Sequence, residues 1–285
     1  MISMETHNWR LIRSGACAPD YNMATDEAMM KAVGAGAAPP TLRFFGWNPA
    51  TLSIGYFQKA EDEVRLDEVR RRGLGFVRRP TGGRAVLHDA EVTYSIVVPD
   101  DYPGLPTSVT ESYRVLSEGL VHGFRALGLD AAMVSLASEE EKAKYASAGS
   151  AACFDSPSWY ELVVDGRKVA GSAQVRQHGA VLQHGSILLD LDVELLFELL
   201  QFRSERLRER LAASFAEKAA AINELRGARG LAPVEASAAE DAFAEGWAAA
   251  LGVTLAASGL SAAEEAETAR LASEKYGADV WNLRR

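Results

Sequence analysis

The period of the apolar positions changes several times along the chain. Val92, Tyr94 and Ile96 alternate with polar neighbours across residues 91–98, the two-residue repeat of a strand with one buried face. Soon afterwards Tyr113, Leu116, Leu120, Phe124 and Leu127 recur at helical spacing. Ser108 and Glu111 stand there as a capping box, and Gly128 suits the closing turn. A run rich in Met and Ala over residues 21–33 also predicts a helix, ended by the glycines and prolines of residues 34–40. Short strands are expected at 41–47, 51–56, 76–79, 85–88 and 181–190, and a further pair at 159–164 and 168–174. The Asp165-Gly166 dipeptide between this last pair favours a type I′ turn, because both of its central residues need positive φ.

Residues 138–152 carry a charge run followed by small residues, the pattern of a mobile surface loop. Helices dominate from Val193, and the last of them has Ser261 and Glu264 as a capping box and Gly277 as its stop. Hairpins and helices mix without regular βαβ alternation, so the expected fold class is α+β: a central mixed, largely antiparallel sheet flanked by helices. We expect a catalytic domain over residues 1–250 and a helical carboxyl-terminal extension, 251–285, packed on it.

Composition narrows the function classes. The 285 residues are 48% apolar, enough for a sizeable core, and two cysteines cannot build a disulfide framework. No charged leader or long apolar segment stands out, so a soluble, cytoplasmic protein without a membrane partner is expected. A net charge of -9 argues against nucleic acid as a partner. Two basic clusters run against that balance, one around Arg70, Arg71, Arg72, Arg78, Arg79 and Arg84, the other at Arg203, Arg206, Arg208 and Arg210. Either is a solvated face or a local landing site for an acidic partner.

Two stretches could carry chemistry. In RRPTGGRAVLHD, residues 78–89, glycines free the backbone to turn tightly or to meet a ligand oxygen, and His88 closes the next strand. Asp89 is poorly placed to orient His88, because adjacent strand residues face opposite ways. In CFDSPSWYELVVDGRKVAGSAQ, residues 153–174, Cys153 is either a small core residue or a nucleophile. A thiol with a pKa near ~8.5 is only a few per cent thiolate at neutral pH, and an ammonium such as that of Lys168 would stabilise the anion. Small residues at Gly171, Ser172 and Ala173 would leave room for a narrow acyl chain and supply backbone donors to its carbonyl. No spacing of His178, His184 or the cysteines indicates a metal site.

These two stretches, with LQHGSILLDLD at residues 182–192, closely resemble the lipoate and octanoate protein ligase and transferase superfamily, and within it the octanoyltransferases. The likeness runs from WRLIRSG near the amino end to YGADVWNLRR at the carboxyl end, with the motifs in order. It implies a biotin/lipoate protein ligase-like domain that moves an octanoyl group from acyl carrier protein to a lysine of a lipoyl-carrier domain, such as glycine cleavage H protein. Cys153 then matches the position that carries the acyl thioester, and Lys168 the lysine that contacts the acyl carbonyl. By motif position the substrate-binding set is Arg79, Thr81, Gly82, Gly83, Arg84, Ala85, Val86, His88, Gly171, Ser172, Ala173, His184 and Gly185.

The resemblance implies no cofactor and no metal, since phosphopantetheine arrives on the donor, and a monomeric enzyme. Two relatives within the superfamily are alternatives. An ATP-dependent lipoate ligase needs no thiol and tends to carry a third glycine where this chain has Arg84; an octanoyl amidotransferase moves the group between lipoyl-carrier proteins by the same cysteine chemistry.

Overall fold

The computed structural model describes residues 8–135 and 160–284. Its centre is a six-stranded sheet in the order β10-β11-β6-β2-β1-β12. The strands are β1 (Asn8–Cys17), β2 (Thr41–Trp47), β6 (Glu91–Pro99), β10 (Ala170–Gln177), β11 (Ala180–Leu188) and β12 (Thr254–Ala257). β1 runs parallel to β2 and β12, while β2-β6, β6-β11 and β11-β10 are antiparallel. A smaller sheet is ordered β4-β3-β5, from β3 (Thr51–Ile54), β4 (Gly75–Arg78) and β5 (Val86–His88); a third joins β7 (Ala132–Ser135), β8 (Tyr160–Val164) and β9 (Arg167–Lys168). The architecture is thus the mixed, largely antiparallel α+β sheet expected from the pattern.

Helices cover both faces of the central sheet. On one face α1 (Pro19–Gly34) lays Met29, Met30 and Val33 against Val97 and Leu182. On the other, α4 (Val109–Ala126) packs Leu116, Leu120 and Phe124 onto Phe44, Tyr94 and Ile96. β6 is therefore buried on both faces rather than half-buried. Its polar side, Thr93 and Ser95, turns inward, where Ser95 donates to Asp26 of α1 (2.7 Å) and Thr93 donates to Glu91.

Four short helices come between the expected landmarks: α2 (Ala60–Glu63) and α3 (Leu66–Arg71) after β3, then α5 (Val193–Glu198) after β11 and α7 (Ile222–Gly227) farther on. The longer α6 (Glu205–Lys218) and α8 (Ala236–Leu251) complete the helical half. α4 and α8 meet through glycines. A Cβ at Gly119 would lie 2.1 Å from the Trp247 ring, and one at Gly246 would lie 2.5 Å from the Gly119 carbonyl oxygen. Backbone cannot retreat as a side chain can, so Gly246→Val should lower unfolding stability by about 3 kcal/mol. A urea titration would show it, and an unchanged midpoint would mean that the helices can slide apart freely.

Residues 251–285 supply β12, which extends the central sheet, as well as α9 (Ala262–Leu271), a π turn and α10 (Asp279–Asn282). The Ser261–Glu264 capping box forms in full, and Glu264 also takes a two-pronged bond from Arg10 of β1 (2.9 and 2.7 Å). At α4, by contrast, Ser108 is the cap residue but makes no side-chain capping bond. Glu111 is drawn away by Tyr160 (2.8 Å) and Arg114 (3.1 Å).

Candidate active site

The Asp165-Gly166 turn forms with φ of 51° and 76°, and it pairs Val164 with Arg167 and Val163 with Lys168. The second strand is not continuous to Gln174, as expected, but divides at Val169. β9 stays with β8, whereas β10 leaves to pair with β11 in the central sheet. Lys168 therefore sits at the junction of two sheets, where its carbonyl oxygen accepts a bond from Ala220 N–H (2.9 Å).

The Lys168 side chain is 7% exposed and its Nζ lies 2.8 Å from Glu161 Oε2, a carboxylate that is 2% exposed. Glu161 shares a face of β8 with Val163, the cross-strand partner of Lys168, so the two reach each other diagonally. One of the three N–H donors of Lys168 is thus committed to a buried carboxylate. Cys153 lies outside the described residues, as does the expected loop at 138–152.

Three residues beyond Lys168, β10 begins to line a narrow cavity of about 30 Å³ between the two main sheets. Arg79, Val86, His88, Gly171, Ser172, Ala173, His184 and Gly185 meet there, together with Met23, Trp47, Thr93 and Ser186, which sequence reasoning missed. The register aligns Ala173 with His184, Gly171 with Ser186, and Ser186 with Thr93, so one sheet face forms the floor. Gly185 is required against Tyr94, because a Cβ there would stand 2.6 Å from the Gly171 carbonyl oxygen and 2.9 Å from the Tyr94 ring.

Both imidazoles in the wall are held at each nitrogen. His184 Nδ1 donates to Asp26 Oδ2 (2.9 Å), and its Nε2 accepts from the Thr81 hydroxyl (2.7 Å). Burial pushes this imidazole below its usual pKa, more than the hydrogen bond and charge of Asp26 raise it, so it is neutral at pH 7. Asp26 is itself gripped by Arg43 (3.0 Å) and Ser95 (2.7 Å). His88 Nδ1 lies 2.6 Å from Glu91 Oε1 and its Nε2 lies 2.6 Å from Ser53 Oγ, with the ring stacked on Trp47 at 4.2 Å. Its carboxylate partner is Glu91, which sequence reasoning did not name; Asp89 does not orient it, in keeping with the opposite facing of adjacent strand residues.

The glycine loop supports the slot more than it lines it. Arg79 donates to Ser53 Oγ and to the Arg84 carbonyl oxygen (2.7 Å), bracing the loop from inside. Gly83 has a φ of 92°, and its carbonyl oxygen comes so near Gly55 that a Cβ there would be 2.1 Å away. Thr81 touches the slot only through His184; Gly82, Gly83 and Arg84 are not in its wall, and Ala85 faces a different cavity. The Arg84 side chain points to Glu63 (3.4 Å). Arg78 is fully buried and donates to the carbonyl oxygens of Gly55, Tyr56, Gln58, Trp281 and Asn282, tying the carboxyl-terminal segment to the loop.

That different cavity is larger, about 520 Å³, but its walls carry Asp89, Glu91, Asp190, Asp192 and Glu194. Such a lining disfavours a thiolate or a developing oxyanion, so its size does not make it the reaction site. The Arg70–Arg72 cluster is less basic than its sequence: the three arginines pair with Asp67, Glu68 and Glu198. Hydrogen bonds from Arg71 and Arg72 pull the Glu68 carboxyl down to about 2. Among the described residues no His, Cys, Asp and Glu group is arranged to hold a metal, and no helix is long and apolar enough to cross a membrane.

Comparison with known proteins agrees with this geometry. The lipoyl protein ligase A/B catalytic domain family matches residues 18–247. Octanoyltransferase LipM of Brevibacillus brevis is 58% identical over 97% of this chain and 99% of its own, and LipM of Bacillus subtilis is 51% identical over 99% and 100%. Among solved structures, a bipartite lipoate protein ligase from Thermoplasma acidophilum superposes with a TM-score of 0.79 at 26% identity, covering 97% of this chain and 96% of that one. A lipoate-protein ligase A bound with ATP gives 0.75 at 25% identity, covering 97% and 98%. The chain belongs to the lipoyl protein ligase A/B catalytic domain family, on its LipM-type octanoyltransferase branch.

Proposed function

We infer that this octanoyltransferase of lipoate biosynthesis takes its acyl group from an acyl carrier protein thioester, holds it on Cys153, and delivers it to a lysine of a lipoyl-carrier domain. The observation that supports this best is the slot beside Lys168: a narrow cleft whose histidines and hydroxyls already hold one another offers its walls to a hydrocarbon chain that enters as one of them gives way. Among the described residues of that wall, apolar side chains, small residues and already-bonded polar groups leave no charged cradle for a triphosphate. A thioester donor arrives already activated, so neither ATP nor a metal is called for.

In the first half-reaction the Cys153 thiolate forms a C–S bond with the acyl carbonyl carbon, and the phosphopantetheine sulfur leaves with the electron pair and takes up a proton. Lys168 and backbone N–H groups of the Gly171–Ala173 strand stabilise the tetrahedral oxyanion. In the second, the neutral acceptor amine forms the C–N bond, the enzyme C–S bond breaks, and the amine's proton balances the released thiolate. Glu161 holds Lys168 in place through both halves.

Three donors offered separately with an unmodified lipoyl domain test the reading: octanoyl carrier protein, an octanoylated lipoyl domain, and free octanoate with ATP. Octanoyl transfer from the carrier protein alone is the expected result. Transfer only with ATP would establish a ligase, and transfer only from the octanoylated domain an amidotransferase.

A further inference from the structure

The slot is far too small, at about 30 Å³, to admit an eight-carbon chain without a wall giving way. Most of its walls cannot. β10 and β11 are locked in a continuous ladder from Ala170 to Gln177. His88 and His184 are each bonded at both nitrogens, Trp47 Nε1 donates to Thr93 (2.7 Å), and Arg79 braces the glycine loop. Thr93 and Ser186 both donate to Glu91, and the Ser172 hydroxyl lies 2.7 Å from that of Tyr94. Val86 is β-branched, and therefore stiff, and sits on β5 paired with Ser53.

Among the described residues of the wall, Met23 is the exception. It is an unbranched side chain on α1, 1% exposed, packed among Ala24, Phe45 and Trp47. Its three torsions and polarisable sulfur let it re-pack within a closed space. The sheet also indicates where a chain would meet it. β10, beside Lys168, is separated from β6 by two strand spacings, about 9.5 Å. An extended octanoyl chain, seven C–C bonds of about 1.5 Å in a zigzag, spans about 9 Å. A chain whose carbonyl lies at β10 and which runs across the strands thus ends over Thr93 of β6, where Trp47, His88 and Met23 also line the slot.

Taking the transferase reading as its basis, the geometry points to Met23 as the residue that sets acyl chain length: the incoming chain displaces its side chain, and the space so opened stops near eight carbons. The test measures kcat/KM for hexanoyl, octanoyl, decanoyl and dodecanoyl thioesters of N-acetylcysteamine on the full chain. Met23→Ala should raise the dodecanoyl-to-octanoyl ratio about tenfold or more, and Met23→Phe should shift preference toward hexanoyl by a similar factor. Because the two variants move the ratio in opposite directions, a general loss of stability cannot imitate the result. If either fails to fold, the other still decides. Ratios equal to wild type in a folded variant would overturn the assignment of Met23. A wild-type enzyme that accepts octanoyl from no thioester, the carrier protein's included, would instead overturn the transferase reading itself.

Discussion

Replacing Lys168 with methionine is expected to lower octanoyl transfer by about a thousandfold, the upper range for losing one donor aimed at an oxyanion. The same change should also lower stability by about 3 kcal/mol, since Glu161, 2% exposed, would be left as a buried carboxylate without its ammonium. The two effects can be separated. In the double variant Lys168→Met with Glu161→Gln the stranded charge is gone, so most of the stability should return while the transfer rate stays low. Urea unfolding and transfer rates on the four proteins of this cycle provide the check. Recovery of rate along with stability would make Lys168 a structural residue and remove it from the mechanism.

Replacing Cys153 with alanine should abolish transfer to the lipoyl domain, by at least about 10⁴-fold, because the thiol that carries the acyl group in the proposed mechanism is gone. The second cysteine is a useful control. Cys17 ends β1, and its Sγ donates to the Ser14 carbonyl oxygen (3.4 Å), at the opposite side of the sheet order from β10. Cys17→Ala should therefore leave the acyl-enzyme intact. Peptide mapping of the acylated protein distinguishes the two thiols directly.

The chain's own pattern carried much of this. Asp165-Gly166 marked a tight turn whose register places Val163 opposite Lys168; the alternation of 159–164 then puts Glu161 on the same face. The carboxylate partner was therefore within reach of sequence reasoning but was overlooked. Other partners were not within reach. Asp26 and His184 are 158 positions apart, and only the docking of α1 on the sheet joins them. The α1 run of Met and Ala signalled a helix, yet nothing in it said that Met23 lines a slot, because residues 22–30 are buried around the whole circumference.

The strand at 91–98 failed in a more instructive way. Polar Thr93 and Ser95 looked like a solvent face, but they bond inward to Glu91 and Asp26. Alternation in a strand reports that two faces differ, and a reaction site can stand where water was expected. The glycine loop shows the reverse case. Its residues were legible as a unit, but most of them brace the slot from behind, and their contribution passes through Arg79 and Thr81.

In the proposed mechanism the acyl group rests on Cys153 between donor and acceptor. The most direct test of this is the intact mass of the protein after incubation with octanoyl carrier protein and no acceptor. A single octanoyl adduct is expected, one that hydroxylamine removes, that is lost on adding lipoyl domain, and that is absent from Cys153→Ala. A wild-type protein that stays unmodified while still transferring octanoate, or an adduct that persists in Cys153→Ala, would contradict it.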